Sequence, residues 1–441
     1  MSRPRPERAA RPRRLRRPSP LLVAGLTALL AGCGSTTPTG SPSPSATALR
    51  ATPAPSAAPT PAGSQDAVSI YRTIEDQVIA IRQLKPKNPV EPTLIDRAGI
   101  QKVTTDDFTK SNPPDVVAAN ERILKAFGLL PADSSLKDLY LKLLGAAVAG
   151  LYSPDTKKLY VVSTTGRIGP VERATFSHEF THALQDQNFD IGSLQLDEVG
   201  QGDRSFSRLS LIEGDATLAM SFWMIQNLSA AELQELVAAS SSDESSTIVA
   251  TMPPILRESL LFPYTTGLAF VQSLQNSGGW AAVDAAFKNP PSSTEQILHP
   301  EKYTAGEGPV AADLPTDLAT RLGAGWKVAY QDAFGEFQLA VWLRGSPAAS
   351  PASANAAAAG WGGDRVALVE GPNGAWGVAL RTIWDTDADA AAFEAAATPL
   401  ISTMGGPGAL LPGAGGRERW VVIGSDAASL QLLGSALGLA G

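Results

Sequence analysis

Cysteine and histidine are almost missing from this 441-residue chain, which holds one Cys, Cys33, and three His, at 178, 182 and 299. A single cysteine removes any disulfide framework. Three histidines confine imidazole chemistry to the pair at 178 and 182 and to position 299. The apolar run near the N-terminus, Leu21 to Ala31, is too short to remain as a membrane span. Charge is sparse, at 18% of residues, and unevenly placed. Residues 1–32 hold eight Arg and one acid, a net +7, so the remainder carries −14 against −7 for the whole. That acidity argues against a nucleic-acid partner and against contact with anionic headgroups. What is plentiful is apolar: 44% of residues are hydrophobic, enough for a large core and two or three domains.

The Arg-rich start, the eleven-residue apolar run and the small residues before Cys33 read as an export signal over 1–32. Leu30-Ala31-Gly32-Cys33 resembles the lipobox of bacterial lipoprotein precursors. The resemblance implies cleavage before Cys33, lipid attachment to its thiol and an extracytoplasmic, membrane-anchored place in the cell envelope. Residues 33–65 are then a disordered tether, almost entirely Ser, Thr, Pro, Ala and Gly with Arg50 as the one charge.

The chemistry is concentrated in Thr175 to Asp190, which carries His178-Glu179-Phe180-Thr181-His182. Four residues apart on a helix, the two imidazoles lie about 40° from each other and converge on one face. That arrangement suits a metal ion, with Glu179 beside the pair and able to reach a water without being a ligand. Phe176, Phe180 and Leu184 form an apolar stripe on the opposite side. The spacing of Arg204 to Leu228 predicts a second helix in which Glu213 interrupts a face of Leu209, Ala216 and Met220. Burying a carboxylate costs several kcal/mol unless a cation meets it. The partner is expected to be zinc, completing a His178, His182, Glu213 set with water as fourth ligand, or else Arg173 or Arg208. Glu172, Asp186 and Asp190 are competing carboxylates on or near the first helix.

Helical spacing runs from Asp66 to Leu84 and through 113–149. Residues 150–163, two apolar runs around a Pro-Asp turn, predict a β-hairpin just before the histidine helix. Residues 230–289 read as helical again. From 313 onward the pattern is two strands, a helix, a strand and a helix, a small α+β layer packing one sheet face. Trp361, Trp376, Trp384 and Trp420 are assigned to its core rather than to a binding surface.

His178 to Asp186, HEFTHALQD, resembles the active-site helix of thermolysin-like enzymes, and a later helical Glu as third ligand marks the gluzincins. The HEFTHALQDQ and EGDA strings are also similar to those of uncharacterised bacterial envelope proteins. The match covers 171–220, with fold-level similarity over 140–305. Two features depart from the pattern: the gap from His182 to Glu213 is longer, and Thr217 replaces the acid expected four residues after the third ligand. Asp215, Asp186 or Asp203 would then orient a ligand histidine.

The resemblance implies an α+β chain with a mainly helical zincin-like catalytic domain over 66–312, a β-hairpin edge for an extended substrate, and a C-terminal α+β domain over 313–441. It implies a zinc metallopeptidase acting on a peptide or protein, with Glu179 as general base and a separate donor for the oxyanion. His299 is the first candidate for that donor, followed by Tyr303 and Tyr264. The rival expectations are a non-catalytic lipoprotein scaffold or binding module and a zinc hydrolase acting on a cell-wall amide.

Overall fold

The computed structural model describes residues 24–25, 64–163, 166–242, 244–347 and 349–439. Cys33, where lipid attachment is expected, the bulk of the expected export signal and the expected tether up to residue 63 lie outside the described residues. The fold is α+β: a helical body carries a small sheet near its start and a five-stranded sheet at its end. Among the described residues no helix is long and apolar enough to cross a membrane.

The first helix, Ser64–Arg82, buries Tyr71, Ile74 and Val78 at helical spacing, while Val68, which shares that spacing, is exposed. The hairpin forms where its sequence placed it: Gly150–Ser153 pairs antiparallel with Lys158–Val162. Two additions were not legible. Pro92–Ile95 joins Lys158–Val162 in parallel, and the two-residue strand Ala24–Gly25 pairs with Gly150 and Leu151 on the other edge. A parallel pair needs a long crossover. Helices Arg97–Ser111, Pro114–Ala126 and Leu136–Ala147 lie between the two strands and supply it. Proline at the first turn of the second and the Ser135 hydroxyl capping the third set their starts.

Three helices make the centre: Pro170–Phe189 with the histidines, Gly202–Asn227 with Glu213, and Pro254–Lys288, which breaks at Gly278 and Gly279. Phe176, Phe180 and Leu184 pack against Val78, Leu159 and Val161, so the hairpin and first helix cover the apolar side of the histidine helix. The opposite side is the one expected to carry the chemistry. It is buried too, because the Glu213 helix lies across it. The helices of Glu213 and Tyr264 cross with almost no side chain between them. A Cβ on Gly214 would stand 2.3 Å from the Gly267 carbonyl oxygen, and one on Gly267 2.4 Å from that of Ser210.

The C-terminal sheet is antiparallel throughout, in the order Lys327–Asp332, Trp361–Glu370, Trp376–Trp384, Glu418–Gly424, Gly408–Pro412. Its two outermost strands were missed by the sequence pattern. Both faces are covered, which corrects the single packed face expected. Val366, Leu368, Val378 and Leu380 point to one core with Trp342 and Phe393, while Ala367, Val369, Ala379 and Val422 point to another with Leu433. This is the period-two alternation of a strand filled on both sides. Trp361, Trp384 and Trp420 are buried core residues as assigned, and Trp376 is half-buried.

Candidate metal centre

His178, His182 and Glu213 each place a ligand atom within 4.8 Å of the others, and all three side chains are buried. His182 Nε2 lies 3.0 Å from His178 Nε2, and Glu213 Oε2 is 3.2 Å and 3.4 Å from the two nitrogens. Ligand atoms of a tetrahedral zinc stand roughly 3.3 Å apart, given bonds of about 2.0–2.1 Å to nitrogen. Two imidazole nitrogens at that separation need a proton or a cation between them. The second carboxylate oxygen, Glu213 Oε1, has no hydrogen-bond partner although it is buried. The donor set therefore fits a metal ion.

The arginines weighed against this arrangement are engaged elsewhere. Arg173 pairs with Glu232, and Arg208 donates to the Leu194 carbonyl at 2.7 Å. The competing carboxylates are spoken for as well: Glu172 accepts from the Gly169 amide, and Asp186 accepts from the Tyr152 hydroxyl and from Lys157. Asp190 ends the helix in a left-handed conformation.

The orienting group is one that the sequence reading did not assign. Gln185, one turn beyond His182, donates from Nε2 to Asp215 Oδ2 and to the Ile212 carbonyl, both at 2.9 Å. Its two N–H groups being used, its carbonyl oxygen faces His182 Nδ1 at 2.9 Å, so that nitrogen carries the proton and Nε2 is left for the metal. The i,i+3 spacing on the helix was the available signal. Asp215 thus acts one step removed, through Gln185. It is held in turn by Arg82 Nε at 2.7 Å; Arg82 also binds Asp284 and lies over the Trp280 ring at 4.6 Å. Asp203 and Asp186 play no part in orienting the histidines.

Charge in the cluster follows from its burial. Burial alone would lower the His182 pKa, but the Glu213 carboxylate, with Glu179 behind it, raises it to about 9. Burial alone would raise Glu213, and the His182 imidazolium brings it down to about 2. Burial dominates at His178, whose pKa falls below its ordinary value. Without metal the cluster is a buried imidazolium–carboxylate pair, and a divalent cation would take the proton's place.

Glu179 is fully buried, with Oε2 accepting from the Tyr152 amide at 2.7 Å. The hairpin strand lies directly on it, since a Cβ on Gly150 would meet Glu179 Cγ at 2.8 Å. The oxyanion candidates divide differently from their expected order. His299 is bonded to Glu336 at 3.0 Å, which raises its pKa, and it faces the C-terminal part. Tyr303 donates to the Asn289 carbonyl and rests on Phe270. Neither contacts a ligand residue. Thr294, at the start of the segment that carries both, is clamped to Asp203. Asp203 lies ten residues before Glu213 on the same helix, about 15 Å along its axis. Tyr264 is the candidate that reaches the site, its ring centred 6.1 Å from that of His178.

Residues 321–435 match a family described only as a domain of unknown function (DUF8575). The match lies beyond His178, His182 and Glu213 and covers the C-terminal sheet. No curated protein and no solved structure matches the chain.

Proposed function

We propose that the protein is a zinc-dependent metallopeptidase, held outside the cytoplasm by lipid on Cys33, that hydrolyses an amide bond at the His178, His182, Glu213 centre. The observation that carries the reading is the convergence of two imidazoles and a buried carboxylate that has no arginine partner. Three protein ligands leave a coordination position open, as hydrolytic zinc sites do and closed structural sites do not. When bound there, zinc supplies Lewis acidity that polarises a carbonyl and makes water a competent nucleophile near neutral pH.

The chain's own groups then have distinct tasks. Gln185 fixes the His182 ring and its tautomer. Glu179, next to His178 in the chain, takes the proton from the attacking water and returns it to the leaving amine. The Tyr152 amide that Glu179 accepts from holds this carboxylate in place. Tyr264 supplies the donor to the developing oxyanion.

The test is metal content together with hydrolysis of a peptide pool. Wild type is expected to hold one zinc per chain, and His182→Ala and Glu213→Ala to lose it. Glu179→Gln should keep the metal and lose roughly 10²–10⁴-fold in rate. Zinc-loaded Glu179→Gln with wild-type hydrolysis would end the assignment of the base, and a chain that binds no zinc would end the whole reading.

A further inference from the structure

The ligands are buried from every side, so the route by which a substrate arrives is a structural question in its own right. A cavity of about 310 Å³ touches Glu213 and Tyr264 and runs away from them between helices. Its wall on the Glu213 helix is Gly202, Phe206, Leu209 and Glu213, one face of that helix over twelve residues, or about 16 Å. The facing walls are mostly apolar, with Val117, Leu143 and Leu260 among them, and Asn112, Ser259 and Gln338 are polar members of the same lining. Phe334 and Val366 of the C-terminal part also line it. Two of the polar lining groups are engaged with their neighbours: Asn120 donates to the Tyr330 hydroxyl, which donates to Asp332, and Asp332 also accepts from the Gly202 and Ala333 amides.

A polypeptide threaded here would lose water from its backbone N–H and C=O groups and find mostly apolar walls with only a few polar side chains, so each group left unpaired would cost a few kcal/mol. A hydrocarbon chain carries no such groups. An apolar cavity of about 150 Å³ accommodates benzene, so 310 Å³ has room for roughly a dozen carbons. That exceeds any apolar amino-acid side chain and agrees with the length of the wall.

We infer that the channel receives a saturated acyl chain of roughly ten to twelve carbons, and that the substrate is an amide whose acyl side is that chain, an N-acylated peptide or amino acid. The inference rests on the hydrolytic reading of the metal centre. Water adds its oxygen to the acyl carbon, the C–N bond breaks, and the water's proton passes to the departing amine, giving a fatty acid and a free amino group.

The test titrates the purified protein with N-acylglycines of two, six, ten, twelve and sixteen carbons by calorimetry, and follows hydrolysis of the same compounds by the zinc-loaded protein. Kd is expected to fall roughly fourfold per methylene up to ten or twelve carbons, then to level or rise. Leu260→Trp and, independently on another helix, Val117→Trp should flatten that dependence while keeping cooperative melting curves. Affinity independent of chain length, or a dependence unchanged in both Trp variants, overturns the channel assignment whatever the activity. Length-dependent binding with no cleavage of any amide by the zinc-loaded protein overturns the substrate assignment and the hydrolytic reading together. Cleavage that is as fast for acetyl as for dodecanoyl substrates overturns the inference and leaves the peptidase reading standing.

Discussion

At the residue scale the centre depends on groups that never touch the metal position. Gln185 is neutral, yet it fixes the ligand tautomer because both of its N–H groups are anchored and only its carbonyl is left for His182. Gln185→Leu keeps the volume and removes the bond, so metal affinity should fall about 10–100-fold in competition with a chelator. Tyr264 and His299 give a paired expectation. Tyr264→Phe should lower hydrolysis about 10²–10³-fold with zinc retained, as loss of an oxyanion donor does. His299→Ala should stay within about twofold, because its partner Glu336 belongs to the C-terminal part and not to the site. Rates measured at matched zinc content separate the two, and a large loss at His299 would return it to the role first expected of it.

At the element scale the deciding feature is the close crossing of the two helices at Gly214 and Gly267. It brings Tyr264, one turn before Gly267, toward His178, and it sets the channel wall opposite Leu209. A methyl group at either glycine meets backbone rather than a movable side chain. Gly267→Ala should therefore cost about 1–3 kcal/mol as overpacking, and more if the crossing cannot open. Urea unfolding measures it, and a variant as stable as wild type would show that the helices can separate. The sequence marked both helices by their spacing. It did not mark their crossing, since a glycine inside a helical pattern reads only as a weak position until its neighbour is known.

At the scale of the whole molecule, the buried ion pair links stability to pH. His182 has a folded pKa of about 9 against an ordinary value near 6.5, so its contribution is complete below about pH 6.5 and is lost as pH rises to about 9. Glu213, held at about 2, loses its contribution only as pH falls from about 4.5 toward 2. Metal-free protein should accordingly melt at lower temperature as pH is raised from 6.5 to 9. Zinc requires the deprotonated ring, so its affinity should rise over the same interval and the melting temperature of loaded protein should not fall. Melting curves with and without chelator check both signs. The five-stranded sheet enters at this scale too, since Val366, with Phe334 just after its first strand, lines the same cavity as Glu213.

The sequence by itself determined the α+β class, the hairpin, the tryptophan core and the three residues that converge, because each of these rests on local periodicity or on residue types whose burial would otherwise go uncompensated. His178 and His182 share a helix face by spacing alone, and Glu213 betrayed itself as a carboxylate on an apolar stripe. Tertiary structure alone decided which tyrosine reaches them, that Gln185 rather than an acid orients the ring, that Pro92–Ile95 joins the hairpin in parallel, and that a mostly apolar cavity borders the centre. Those features depend on how helices cross and how distant segments are clamped, as at Asp203 and Thr294. Such contacts carry no local signal, since their energy comes from groups far apart in the chain.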